Sequence, residues 1–218
     1  QGIENDGCNG TFCTNNFNTT PFTIPIVANF TLVGTGSTAS AGSAGGIGMM
    51  LRRGTGGYYV NGIVARWPRF GVSLRDQDTF LRAGSAATPD LTTAELALKN
   101  VLFVETPTVF EPTGANTQNA FDLATNVLSQ NTTATTSSLF VKFPASVTTT
   151  TTEADFDWML SASSAAATGG LGTFVGKLAT AATGASAAGN RMAGTAYLGD
   201  VAPNGPKWWV GWTKYAQQ

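Results

Sequence analysis

The chain has 218 residues, of which only 12 are Lys or Arg and 13 are Asp or Glu, a charged share of 11% where an average soluble domain carries about a quarter. A net charge of −1 without a basic cluster excludes a row of phosphates, and with it nucleic acid, as a partner. Histidine is absent, which excludes Ser-His-Asp and Cys-His nucleophile systems, the HExxH zinc site and His-ligated haem. A hydrophobic share of 42% with 13 Phe and 5 Trp is enough for a substantial core, and the length suits one domain over 1–218. No run of 18 apolar residues offers a membrane span.

From the N-terminus, the chain begins at Gln1 without Met or a basic-then-apolar leader, which reads as a processed product or a fragment. Cys8 and Cys13 flank the loop-like run CNGTFC. A C-x4-C pair with no other Cys or His is too poor in ligands for zinc, so a disulfide and an extracytoplasmic, extracellular or cell-surface setting are expected. Asn-x-Thr triplets occur at Asn9, Asn18, Asn29 and Asn131, matches that a chain rich in Asn and Thr produces by chance.

The first half then repeats itself. Asn29-Phe-Thr-Leu-Val-Gly34, Asn61-Gly-Ile-Val-Ala-Arg66 and Asn100-Val-Leu-Phe-Val-Glu105 align at spacings of 32 and 39 residues. Gly48-Met-Met-Leu-Arg-Arg53 and Gly71-Val-Ser-Leu-Arg-Asp76 align at a spacing of 23. Turn signals lie between them at Gly34-Thr-Gly36, Gly54-Thr-Gly-Gly57, Trp67-Pro68 and Gly84. Short strands at such intervals, with little helical periodicity, point to an all-β solenoid of stacked coils. Equivalent strands would pair about 4.8 Å apart, so that Asn29, Asn61 and Asn100 form an amide ladder. In-register stacking also disfavours charge and accommodates Thr, Val, Ile and Asn, which fits the composition. The alternative is an antiparallel sandwich in which Asn61-Gly62 is a hairpin turn.

The runs Gly2-Ile-Glu-Asn-Asp6, Phe30-Thr-Leu-Val-Gly34, Gly45-Gly-Ile-Gly-Met-Met-Leu-Arg-Arg-Gly-Thr55, Asn61-Gly-Ile-Val64 and Ser73-Leu-Arg-Asp76 resemble the C-terminal half of secreted bacterial right-handed parallel β-helix proteins, many of them envelope lipoproteins. Ala196-Tyr-Leu-Gly199 and Trp208-Trp-Val-Gly-Trp-Thr213 resemble the tail of the same family. The resemblance implies recognisable coils over 1–105, a variable insert with further coils over 106–195, and an aromatic C-terminal cap over 196–218. Members of this family have more coils upstream of the segment matching Gly2-Ile-Glu-Asn-Asp6, so the first coil is expected to present an unpaired strand edge. The family supplies no catalytic motif to carry across.

Three groups of residues could carry function. Asp76 and Asp78, two apart on a strand and near Trp67, suit a calcium or glycan site, whereas the structural reading has them end a strand and cap the next turn beside an ion-paired Arg75. Tyr58-Tyr59, Trp67 and Phe70, or Trp208, Trp209, Trp212 and Tyr215, could stack sugars; for the C-terminal set an end cap is the favoured alternative and a subunit contact the next. Glu153, Asp155 and Asp157 read as the start of a helix capped by Thr152. The Thr148–Thr152 run reads as a strand or an O-glycosylated segment, and the small-residue stretch Ser161 to Asn190 as a packing surface or a loop.

Taken together, the sequence favours a non-enzymatic structural subunit of a surface assembly or filament formed by self-stacking, with no cofactor and no metal. The alternatives are a carbohydrate-binding or polysaccharide-cleaving module and an accessory subunit docked to other envelope proteins.

Overall fold

The computed structural model describes residues 1–8, 11–13, 17, 23–42, 45–83, 93–114, 117–118, 121–124, 126–184 and 192–211. Trp212, Tyr215, Asn9, Asn18 and Gly84 lie outside the described residues. The β-branched and aromatic runs form strands β1 (Ile3–Asp6), β2 (Ile26–Val33), β3 (Ile47–Arg52), β4 (Gly57–Ala65), β5 (Phe70–Arg75), β6 (Leu96–Val104), β7 (Thr117–Gln118), β8 (Leu128–Asn131), β9 (Phe140–Lys142) and β10 (Asp157–Leu160). Helices are few and short among the described residues: α1 (Thr38–Ala41), α2 (Gln77–Arg82), α3 (Thr136–Leu139) and α4 (Gly176–Gly184). None is long and apolar enough to cross a membrane. Cys8 and Cys13 are joined by a disulfide.

The chain alternates between two four-stranded sheets, of order β1-β3-β5-β7 and β2-β4-β6-β8, and a separate pair β9-β10. Every pairing within the four-stranded sheets is parallel except β5 with β7. This overturns the antiparallel sandwich: β4 runs straight through Asn61-Gly62, with β2 and β6 parallel on either side. The parallel sheets with few helices are consistent with a β-helix.

Within β2, β4 and β6 one residue each adopts left-handed backbone: Asn29, Asn61 and Asn100, with φ of 55°, 56° and 52°. Asn tolerates that region better than other residues with a side chain. A left-handed residue in an extended run resets the in-and-out alternation of side chains. Before Asn61, Tyr59 faces the interior between the sheets while Tyr58 and Val60 face outward; after it, Val64 faces inward while Ile63 and Ala65 face outward. Gly62 is explained by packing: a Cβ there would lie 2.2 Å from the Phe30 ring. Further left-handed residues follow β3, β4, β5 and β6 at Arg53, Arg66, Asp76 and Glu105. The register sets Arg53 opposite Asp76 and Arg66 opposite Glu105, so successive passes turn at matching positions.

The main core fills the space between the sheets with Met49, Leu51, Tyr59, Val72, Leu74, Leu98 and Phe103. Asn5 Nδ2 donates to the Tyr59 hydroxyl at 2.6 Å, and burial pushes that phenol up to about 12. Residues 106–131 make one more pass, through β7 and β8, and the chain then leaves the stack. Described residues from Ala134 onward pack against the outward face of β4 and β6: Leu139, Phe140, Leu160 and Leu198 cover Ile63, Ala65, Leu102 and Val104, while Leu178 of α4 covers Tyr58, Val60 and Ala97. The C-terminal third is therefore a lateral flank. The described part of the aromatic tail lies beside β2, the first strand of its sheet, and not across β8, the last.

Candidate functional site

Asp76, Asp78 and Trp67 do not converge. Trp67 precedes β5 and Asp76 follows it, so the length of that strand separates them. Trp67 is only 8% exposed, packs into the main core and donates its indole N–H to Leu32 O at 3.2 Å. Both oxygens of Asp76 are engaged by backbone: Oδ1 accepts from Thr79 N–H at 2.8 Å, capping α2, and Oδ2 accepts from Arg53 N–H. Asp78 sits in the first turn of α2, where a carboxylate suits the helix dipole. Among the described residues, no three of Asp, Glu and Cys are grouped to hold a metal. Tyr58 and Tyr59 are buried as well.

Charge concentrates instead on the outward face of β1, β3 and β5. Arg52 bridges Asp6, at 2.6 Å, and Glu4; Arg53 reaches Asp6 at 2.8 Å; Arg75 reaches Glu111 at 3.3 Å. The hydrogen bond to Asp6 holds the Arg52 guanidinium above its ordinary value. Arg52 and Arg75 are neighbours across the ladder, and they pair with different carboxylates, Arg52 with Glu4 and Asp6 and Arg75 with Glu111, which relieves the like-charge contact that in-register stacking imposes. A shallow cleft of about 450 Å³ lies here, lined by Gln1, Arg69 and these ion pairs.

The Asn row faces the flank. Asn61 Nδ2 donates to Asn29 Oδ1 at 3.1 Å, but the next step of the row differs: Asn61 Oδ1 accepts the Leu171 N–H at 2.6 Å, and Asn100 Nδ2 donates to Gly169 O at 2.7 Å. Asn61 Nδ2 also reaches Leu171 O at 3.3 Å, so one side-chain amide holds both backbone polar groups of Leu171. Asn29 Nδ2 donates to Ala193 O at 3.2 Å. The row thus anchors residues 169–171 and 193–195 on the sheet. Gly199 follows, with its N–H on Asn61 O at 2.9 Å; a Cβ there would lie 2.7 Å from Ile63. Asp200 then accepts from the Thr31 hydroxyl at 2.7 Å.

That docking builds a groove of about 590 Å³ beside β2. One wall is Phe156 and Trp158, whose rings stack at 5.1 Å and 5° because residues two apart on extended chain share a side. Trp208, 47% exposed, and Trp209 form the other wall, edge to face at 6.1 Å. Thr31 and Asp200 supply polar groups, with Glu153 at the rim. Burial pushes the Asp200 carboxyl above the usual range. The same Phe156–Trp158 pair borders a second hollow of about 800 Å³ with Phe143 and Thr148, so it forms a ridge between two concavities.

A family model described as a pectate-lyase-like β-helix domain matches residues 1–159. The chain belongs to this family. Comparison with curated proteins gave no match, and neither did comparison with solved structures. The matched part of the pectate-lyase-like chain holds both four-stranded sheets, Thr31, Phe156 and Trp158; Asp200, Trp208 and Trp209 lie beyond it. The groove therefore joins the β-helix domain to its flank.

Of the groove residues, the sequence singled out Trp208, Trp209 and, as part of a helix start, Glu153, and it missed Thr31, Phe156, Trp158 and Asp200. The apolar alternation Phe156-Asp-Trp158 was the available signal. In place of the expected helix, a single short turn covers Glu153–Asp155, with the Thr152 N–H and hydroxyl both donating to the Asp155 carboxylate at 2.9 and 3.1 Å, and the chain extends immediately afterwards.

Proposed function

We propose that the chain is a non-enzymatic carbohydrate-binding module, built on a right-handed parallel β-solenoid and displayed outside the cytoplasm. The groove between Phe156–Trp158 and Trp208–Trp209 carries this reading. Aromatic faces stack on sugar rings, and the Thr31, Asp200 and Glu153 oxygens suit their hydroxyls; the volume is that of a small-ligand site. The side chains first suspected of chemistry hold structure instead: Asp76 caps a helix and Trp67 fills the core. Matching left-handed turns in successive passes support the solenoid, and parallel strands joined by crossovers are right-handed in about 98% of cases. The Cys8–Cys13 disulfide supports an oxidising compartment. Isothermal titration with a panel of oligosaccharides tests the reading. At least one should bind, and Trp208→Ala should weaken it about tenfold without changing the melting temperature. A panel without a binder would sink it.

Self-stacking is a second reading, favoured by the place of β1 and β2 at the edges of their sheets and by the scarcity of charge. At the other end β7 runs antiparallel and spans two residues, a poor template for the next copy. Sedimentation and electron microscopy at high concentration decide this reading: filaments would carry it, and monodisperse single chains would remove it.

A further inference from the structure

The charge around the groove says which glycan it suits. Among its lining residues Glu153 and Asp200 are acidic and none is Lys or Arg. Among the described residues, two lysines close to the groove in sequence are paired: Lys207 sits on Asp157 at 2.5 Å, and Lys142 lies 3.8 Å from Asp155 with its ammonium on Ala154 O. What remains, among the described residues, is four aromatic rings and two carboxylates without a compensating base in the lining. Aromatic faces attract ammonium groups, and the carboxylates add to that attraction while repelling an anion.

We infer that the groove selects a cationic glycan, one made of amino sugars with free ammonium groups, over neutral or acidic sugars. The inference rests on the carbohydrate-binding reading above. An ammonium substituent on a ring stacked between Trp158 and Trp208 would find Asp200 on the sheet side and Glu153 at the rim. A uronic-acid carboxylate in the same place would face two like charges. Asp200 is half-buried and bound to Thr31, so its position is fixed before a ligand arrives, and its raised carboxyl would ionise more fully against a cation.

The experiment compares three probes on the intact chain by titration calorimetry: a β-1,4-linked glucosamine tetramer, its N-acetylated counterpart and a galacturonic acid tetramer, at a pH where the amines are protonated. The glucosamine tetramer should bind about tenfold more tightly than the acetylated one. The uronate should bind least. The preference should shrink at high salt, and in the Asp200→Asn/Glu153→Gln double variant it should close because the glucosamine tetramer loses more affinity than the acetylated one. Equal or tighter binding of the acetylated or acidic tetramer to the natural chain overturns the charge selectivity and leaves carbohydrate binding standing. If none of the three binds, the cationic-glycan selectivity falls, and the oligosaccharide panel above decides carbohydrate binding separately. The comparison on the natural chain decides the matter even where the double variant does not fold.

Discussion

The β-sheet body, residues 1–131, and the flank that follows are held by different means. In the body, each strand's backbone is paired by the next pass and a single core fills the space between the sheets, so position follows from register. In the flank, the one regular strand pairing among the described residues is β9 with β10. Much of the rest is held by side chains of the body: the amides of Asn29, Asn61 and Asn100, the Thr31 hydroxyl, and the outward apolar residues of β4 and β6. Periodicity makes the body stable wherever it repeats, whereas the flank depends on a few anchors and carries the groove. Division of labour between a rigid scaffold and irregular segments is how binding sites are commonly built.

The comparison breaks most visibly in the core. Phe103, fully buried between the sheets, should cost about 3–5 kcal/mol as Phe103→Ala, with body and flank unfolding together in a denaturant titration. Asn61→Ala should cost about 3 kcal/mol, by straining the left-handed residue and stranding the Leu171 peptide. Here the loss should be uneven: hydrogen exchange should accelerate at 169–171 and 193–199 before it does in β4. Asn61→Gly, which keeps the backbone conformation, separates the two contributions. If the sheet and flank amides of Asn61→Gly exchange in step, the flank is not a separate unit.

The body was legible in sequence because its repeat is the register itself. Asn29, Asn61 and Asn100 align at a spacing that places them opposite one another, and Gly48 stands opposite Gly71 for the same reason. The flank was not legible. Its decisive contacts link Asn61 to Leu171 and Thr31 to Asp200, separated by 110 and 169 positions and drawn from Gly-, Ala- and Ser-rich sequence without period. Trp67 illustrates the same limit: an aromatic beside Pro reads as a surface turn, and only the close approach of glycines 2, 34 and 48 around its ring makes the place a core.

A smaller effect sharpens the boundary of the repeat. The register sets Val127 opposite Asn100, at the position that Asn occupies in three earlier passes. Val127 has φ of 55° and is 51% exposed, an unfavourable setting for a β-branched side chain. Asn100 Oδ1 is buried without a hydrogen-bond partner among the described residues. Val127→Asn should relieve the strain and donate to that oxygen as Asn61 does to Asn29, raising stability by about 1 kcal/mol in urea titration. An unchanged or lower midpoint would mean that the row ends at Asn100 for a reason other than residue choice.

The smallest effect concerns two carboxylates near the groove that respond to pH with opposite sign. Asp155 lies below its ordinary value because Thr152 donates to it, so its contribution is present above the unfolded pKa and is lost as pH falls. Asp200 lies above its ordinary value because burial penalises its charge. The folded chain therefore binds the Asp200 proton more tightly than the unfolded one. The stability this confers is fully present below the unfolded value and is lost as pH rises through the folded one. Asn keeps an oxygen for the Thr31 hydroxyl and carries no charge, so Asp200→Asn should be more stable than the natural chain at pH 7, by about 0.5 kcal/mol, with the difference vanishing or reversing near pH 3. Urea titrations at the two pH values test it. A variant less stable than the natural chain at pH 7 would show that the charge itself, through an attraction exceeding its desolvation, holds the flank against β2.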